Sequence, residues 1–423
     1  MFIEANDPSH QSWVKVPQGS DFTIQNLPFG IFRHKGKPPV VGVAIGDHVL
    51  NLHALHTEGF LNDFDLTDSI VESNSLNNLI KLGKHKVRAL RNEISKLLRE
   101  GNITLQSRRD LYEKFLFEKT AIELLLPVAP GDYTDFYSSL SHATNVGKMF
   151  RPDNPLLPNW KHMPIGYHGR SSSIIVSGQN FHRPKGQINT KEGEAPIYSE
   201  TKQLDFELEM AFITFDGKPL GQSITTAEAD EYIFGMVIFN DWSARDIQRW
   251  EYVPLGPFLG KNFASSISPW VVTLDALEPF RKKGEPQVPE VLDYLKFEGD
   301  KHIDINLEVY IQPDGGEENI VSRSNYANMY WNMNQQLAHQ TVNGCNIREG
   351  DIYASGTISG DAADSFGSML ELTWRGERPL KLKDGTERKF IHDNDHVIMK
   401  AWCEKNGVRV GFGDVHGKVL PAI

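Results

Sequence analysis

Apolar and polar residues alternate most cleanly over 204–212. Leu204, Phe206, Leu208, Met210 and Phe212 fall on one face; Asp205, Glu207, Glu209 and Ala211 fall on the other. A period of two predicts a strand, here extending over 204–215. Alternation or short apolar runs predict further strands over 22–32, 40–52, 174–177, 236–239, 303–311, 352–354, 368–374, 396–402 and 408–411. The 3–4 spacing of Val87, Leu90, Ile94, Leu97 and Leu98 predicts an amphipathic helix over 84–100, and a second helix is expected over 105–118. Thr225 and Glu228 stand as a capping box and predict a helix over 225–234; another is expected over 326–339.

These elements fall into two groups. The first 120 residues read as a small barrel-like β unit with appended helices, and nothing in them suggests chemistry. A join over 124–130 follows, where the texture shifts to more Gly, more aromatics and polar residues in apolar surroundings. We therefore expect two domains, 1–125 and 126–423, in a chain whose 423 residues are ample for two cores.

The net charge of −11, without a long run of either sign, argues against nucleic-acid binding through a basic surface. It also requires an anionic substrate to meet a local group of Arg and Lys. The two cysteines, Cys345 and Cys403, form no CxxC, which argues against a disulfide framework or a Cys-based zinc site. No signal peptide is recognisable at the start, and the longest clean apolar run, around 233–239, is too short to span a bilayer. A cytoplasmic protein is expected, with no membrane partner.

In the strand 204–212, Glu207 and Glu209 point the same way, about 6.7 Å apart. At an effective dielectric near 20 they repel by roughly 2.5 kcal/mol. A solvated acidic face tolerates that, and is the simpler account of this segment alone. If the face is enclosed, a proton or a cation must sit there. Asp135, just beyond Pro130-Gly131, is a possible third oxygen ligand. His142 is a possible general base, and Arg151 a possible carboxylate clamp. Each alone is more simply structural.

A buried strand running into Asn240-Asp241 places a carboxylate at a sheet edge. If the next residues turn helical, Asp241, Arg245, Gln248 and Tyr252 share one face, as a pocket wall or an exposed stripe. The Gly-rich run 254–261 fails as a phosphate loop: three residues separate Gly256 from Gly260, and Asn262 follows Lys261. Lys261 can still approach a ligand. The run 356–360 is not the G-x-S-x-G of a serine hydrolase. In the predicted strand beyond it, Met369, Glu371 and Thr373 share a face, and Glu371 can orient a His. Asp135, Glu207, Glu209 and Asp241, with no Cys ligand and no HExxH, suit Mg²⁺ or Ca²⁺ rather than zinc. Spacing alone names no reaction.

The runs 131–139, 142–147, 240–248, 250–261 and 356–360, with 410–413 and 417–422, resemble the eukaryotic fumarylacetoacetate hydrolase family over most of the chain. The resemblance implies a mainly β (α+β) homodimer. Its small N-terminal SH3-like β domain precedes a larger C-terminal mixed β-sandwich or β-roll. It also implies hydrolysis of a carbon–carbon bond in a dianionic 1,3-diketo acid, the last step of tyrosine and phenylalanine breakdown. By the family pattern, Asp135, Glu207, Glu209 and Asp241 bind Ca²⁺ or Mg²⁺, and His142, held by Glu371, activates water. Arg245, Gln248 and Lys261 stabilise developing charge. Tyr137, Arg151, Tyr167, Gln248, Tyr252 and Thr357 contact substrate. A second ion site near Lys261 and Ser265 is implied, although the family more often has Thr at the latter. Leu140 stands where a charged residue is expected, beside the base, and implies altered tuning at most. Two readings compete: an acylpyruvate hydrolase or oxo-acid decarboxylase on the same fold, and a non-catalytic Ca²⁺-dependent binding protein. A glycosidase pair is weaker, because Glu207 and Glu209 on one strand do not flank a sugar bond.

Overall fold

The computed structural model describes residues 3–191 and 193–423. The backbone is mainly β with few helices. Strand Leu208–Thr214 is central in a largely antiparallel sheet. It pairs with Ile233–Asn240 on one side, Met210 opposite Ile238, and with Ile352–Ala354 on the other, Ala211 opposite Ala354. The sheet continues in parallel to Tyr133–Phe136, which sets Asp135 opposite Ala354. On the far side Trp270–Thr273 links Ile233–Asn240 to the N-terminal strands Phe29–Arg33, Val40–Ile45 and His48–Asn51. The sheet therefore runs without a break from the N-terminal segment into the C-terminal one. A second sheet is built from Asn319–Asn325, Asn306–Gln312, His396–Lys405, Val408–Leu420 and Phe181–His182.

The central strand is buried on both faces because a layer covers each. Leu208, Met210 and Phe212 join Leu307, Val309, Met399 and Phe412 of the second sheet in one core. Ala211 and Ile213 turn the other way and join Val87, Leu90 and Ile94 of helix Lys84–Leu98. Each fully buried Leu, Ile, Met or Phe contributes about 1.5–3 kcal/mol relative to an exposed one. The strand that bears the acidic residues is thus among the best-anchored backbone in the molecule. The solvated acidic face does not exist: Glu207 is 5% exposed and Glu209 0%.

Several predicted elements differ in form. The strand 204–215 is interrupted. Leu204–Asp205 pairs with Ser243–Ala244, the chain leaves the ladder at Phe206–Glu207, and it resumes at Leu208. The helix expected over 105–118 is a series of short turns, Ile103–Gln106 and Tyr112–Phe115 among them. It then gives way to strand Leu116–Glu118, which pairs with His48–Leu50. Thr225 and Glu228 do exchange capping bonds of 3.0 and 3.3 Å, but only the 3-10 turn Ala229–Glu231 follows, because Ile233 onward is committed to the sheet. The helix expected over 326–339 is a 3-10 turn, Tyr326–Asn328, followed by helix Met333–Thr341, which opens on an Asn332/Gln335 capping box. Among the described residues no helix is long and apolar enough to cross a membrane.

Candidate active site

Four segments converge at the end of the central strands. Tyr133–Phe136 carries Asp135, and the interrupted strand carries Glu207 and Glu209. Ile233–Asn240 runs into Asp241. Lys261 precedes strand Ser265–Ile267. One oxygen from each of Asp135, Glu207, Glu209 and Asp241 lies within 4.8 Å of the others, and all four residues are buried. The Lys261 ammonium donates to Glu207 and, at 2.5 Å, to Asp241 Oδ2. Arg245 Nη2 lies 2.6 Å from Glu207 Oε1. Ser265 Oγ donates to Asp241 Oδ1 at 3.1 Å, and the Tyr167 hydroxyl to Asp241 Oδ2 at 3.3 Å.

The charges do not balance from within. Four carboxylates face two cationic side chains, and one of these, Arg245, also pairs the buried Asp205, so ionised carboxylates outnumber the cations. Burial, reinforced by the Asp241 charge, pushes the Asp135 carboxyl well above the usual range. Burial and the neighbouring Asp135 do the same to Glu209, and burial raises Asp241 despite Lys261. Glu207 goes the other way: burial would raise it, but Arg245 and Lys261 outweigh that and hold it down at about 2. Asp135 Oδ1 and Glu209 Oε1 are buried without any hydrogen-bond partner. A buried acceptor left unpaired is costly. An all-oxygen set with orphaned lone pairs and surplus negative charge fits a hard divalent cation. Among the described residues no other group of three or more His, Cys, Asp or Glu has this geometry.

Beside the cluster lies a second buried constellation. Ser139 caps helix Leu140–Phe150, its Oγ accepting from His142 N at 3.2 Å, and so fixes the backbone of His142. His142 Nδ1 lies 2.6 Å from Glu371 Oε2. Glu371 also accepts from Ser359 and Ser368 at 2.9 Å each and from Asn145 Nδ2 at 3.0 Å. Burial would raise its pKa; the His142 charge and these donors lower it. A carboxylate so supplied with donors calls for the Nδ1–H tautomer, leaving the Nε2 lone pair free. Glu371 does not lie on a strand as expected. Ser368 caps the helical turn Met369–Leu372, and Glu371 occupies its first turn.

The helical face expected from Asp241 onward is partly formed. Helix Arg245–Glu251 begins after Asp241, which stays in the link between strands Ile233–Asn240 and Ser243–Ala244. Arg245 Nη1 donates to Gln248 Oε1 at 3.3 Å. Tyr252 is 52% exposed beyond the helix end, and Arg151 is exposed at the end of helix Leu140–Phe150. Tyr137 is half-buried and meets the His142 ring edge-on, centroids 5.3 Å apart. Thr357 is buried. Gly356, next to it, donates its N–H to Glu209 Oε2 at 2.9 Å. Leu140 packs against the apolar cluster of Ala143, Trp160 and Trp331.

Sequence reasoning missed Asp205, Asn145, Ser359 and Ser368. Asp205 shares the acidic face of the alternating stretch, and Asn145 sits one turn after His142. Those two signals were present in the sequence. Ser368 stands three residues before Glu371, the spacing of a helix cap, whereas Ser359 reaches Glu371 from a separate segment whose path carries no periodicity.

Two solved structures share this architecture. A fumarylacetoacetate hydrolase from Exiguobacterium antarcticum matches with a TM-score of 0.52 at 17% identity, covering 93% of this chain and 99% of that one. A putative HpcE protein from Mycobacterium smegmatis matches with a TM-score of 0.54, also at 17% identity, 93% of this chain and 99% of that one. They define the fold as that of the fumarylacetoacetate hydrolases. The family model described as fumarylacetoacetate (FAA) hydrolase C-terminal matches residues 133–419, and the one described as fumarylacetoacetase N-terminal matches 25–127. Fumarylacetoacetase of Bos taurus is 48% identical over 418 residues, 97% of this chain and 99% of that one. That of Homo sapiens is 47% identical over 418 residues, with the same coverage. That of Dictyostelium discoideum is 48% identical over 420 residues, 97% of this chain and 98% of that one. The chain belongs to the fumarylacetoacetase family and is a hydrolase.

Proposed function

We infer that the protein hydrolyses the carbon–carbon bond of 4-fumarylacetoacetate to fumarate and acetoacetate, the closing reaction of tyrosine and phenylalanine breakdown. The observation that carries the reading is the buried His142–Glu371 pair, joined to the four-carboxylate cluster through Ser368, which donates to Glu371 and bridges Glu207. A binding protein has no need of a base tied to a buried carboxylate beside such a cluster. The full-length similarity to fumarylacetoacetases makes the acylpyruvate hydrolase and decarboxylase readings unnecessary.

Asp135, Glu207, Glu209 and Asp241 would hold a divalent cation, Ca²⁺ or Mg²⁺. When bound, that ion supplies Lewis acidity toward the two oxo groups of a 1,3-diketone. Glu371 fixes the His142 ring and stabilises it once charged, so Nε2 can take a proton from water. The resulting hydroxide equivalent adds to the carbonyl carbon on the fumaroyl side. The carbon–carbon bond then breaks, its electron pair leaves as the enolate of acetoacetate, and the proton returns to that carbon. Lys261, Arg245 and Gln248 stabilise the developing negative charge. Tyr137, Arg151, Tyr167, Tyr252 and Thr357 bind the dianion, with Arg151 as its outer positive charge. Lys261 and Ser265 contribute to a second ion site; an ammonium has no lone pair, so Lys261 acts there through its main chain. Residues 1–125 form a supporting domain and 126–423 the catalytic one, in a cytoplasmic homodimer.

The test is turnover on a substrate panel. The reading expects fumarylacetoacetate to be cleaved to equimolar fumarate and acetoacetate, with acylpyruvates at least tenfold poorer in kcat/KM. Faster cleavage of acylpyruvates, or no turnover of fumarylacetoacetate, overturns it.

A further inference from the structure

We propose that Asp205 is a positioning residue that ties the base-bearing arm of the site to its cation-bearing arm. The inference rests on the hydrolase reading above. Asp205 is fully buried. Its Oδ1 accepts from Met369 N at 2.6 Å; its Oδ2 accepts from Leu370 N at 3.0 Å and from Arg245 Nε at 2.8 Å.

Those three donors belong to two different functional groups. Met369 and Leu370 open the turn that carries Glu371, and Glu371 holds His142. The same guanidinium that meets Asp205 forms an ion pair with Glu207, Nη2 standing 2.6 Å from Oε1. One carboxylate therefore sets both the height of the His142 support and the reach of the guanidinium beside the acidic cluster. The turn Met369–Leu372 is too short to hold itself in place, since one helical turn is marginal without tertiary partners. Ser368 satisfies the Glu371 N–H, and Asp205 satisfies the two before it. The break in the central strand at Phe206–Glu207 gives this geometry its origin. It lets Leu208 N bond Gly367 O at 2.8 Å and Glu207 bridge Ser368, which brings the 367–371 segment against Asp205.

Both oxygens are matched only by donors. An amide at this position presents an NH₂ to at least one N–H, so Asp205→Asn keeps the volume and loses the clamp. Asp395 is a suitable comparison. It is buried, pairs Arg388 Nε and Nη2 at 2.8 and 2.9 Å, and accepts from His392 N at 2.9 Å, without contact to His142 or the acidic cluster. Asp395→Asn makes the same chemical change where only scaffold depends on it.

The experiment measures kcat, KM and melting temperature for wild type, Asp205→Asn and Asp395→Asn on fumarylacetoacetate, with saturating Mg²⁺ or Ca²⁺. The expected result is kcat down by about 30-fold or more in Asp205→Asn with KM within about threefold, and kcat within about twofold in Asp395→Asn. In one-dimensional proton spectra, the downfield resonance of the His142 Nδ1–H, assigned by its loss in His142→Ala, should shift in Asp205→Asn and stay in Asp395→Asn. A kcat within about threefold of wild type in Asp205→Asn, or equal losses in both variants, overturns the proposal. If Asp205→Asn does not fold, Asp205→Ser is smaller, keeps one acceptor and is held to the same criteria. Failure of both to fold while Asp395→Asn folds assigns Asp205 to the scaffold and also overturns it. Absence of turnover by wild type instead sinks the hydrolase reading itself, so the two failures are distinct.

Discussion

His142 and Glu371 are 229 positions apart in the chain, and their Nδ1 and Oε2 atoms lie 2.6 Å apart, both side chains buried. The amide of Glu371→Gln still fills the space and can accept from Nδ1, but it no longer stabilises a charged imidazole. We expect kcat to fall about 10²–10³-fold with KM nearly unchanged, because the lost interaction is one made mainly in the transition state. Steady-state kinetics check this. An unchanged kcat removes Glu371 from the mechanism.

The excess negative charge of the cluster makes an opposite pair of predictions. In chelator, Asp135→Asn relieves like-charge repulsion among buried carboxylates and should raise unfolding stability by about 1–3 kcal/mol. In saturating Ca²⁺ or Mg²⁺, the ranking should reverse, because the variant has lost a ligand. Thermal melts of both proteins in both conditions decide it. Equal melting temperatures throughout would mean that the four carboxylates hold no ion.

Gly356 shows how tightly the loop behind the cluster is drawn. It has φ +76°, and a Cβ there would stand 2.2 Å from the main-chain oxygen of Phe136. Gly356→Ala should cost about 2–4 kcal/mol and weaken cation binding, since the same residue donates to Glu209. Gly101 has φ +83° and open space around it, so Gly101→Ala should cost only about 1 kcal/mol. Denaturant titrations and calorimetric cation binding test the contrast.

His302 is 4% exposed, and burial holds its pKa down at about 4, against 6.5 for an ordinary imidazole. The unfolded chain therefore takes up a proton before the folded one does. The stability tied to a neutral His302 is present above pH 6.5 and is lost as pH falls toward 4. Between pH 7 and 5 this amounts to about 2 kcal/mol. The stability difference between wild type and His302→Gln should narrow by that amount over the interval. A constant difference contradicts a buried neutral His302.

Much of this fold is readable from local pattern, and the limits are physical. The period-two stretch at 204–212 marks the central strand because its apolar face meets a second sheet. Its acidic face looked compatible with solvent, since nothing local reveals that helix Lys84–Leu98 and the N-terminal unit cover the other side of that sheet. Glu371 was legible as a partner for a histidine but not as helical. A four-residue turn leaves no periodicity, and it is held by Asp205, 164 positions away. Thr225 and Glu228 make the bonds of a helix start, yet strand pairing from Ile233 prevails over that local preference. Local signals thus report caps and faces, whereas the path of a short segment is decided by what it packs against.

In the proposed mechanism His142 activates water beside a cation held by Asp135, Glu207, Glu209 and Asp241. Turnover of fumarylacetoacetate by chelated protein, cation-restored protein and His142→Ala measures it most directly. We predict that chelation lowers kcat at least about 100-fold, that Mg²⁺ or Ca²⁺ restores it, and that His142→Ala stays about 10²–10⁴-fold low with cation present. Comparable turnover by the chelated protein, or by a folded His142→Ala variant, would contradict the account.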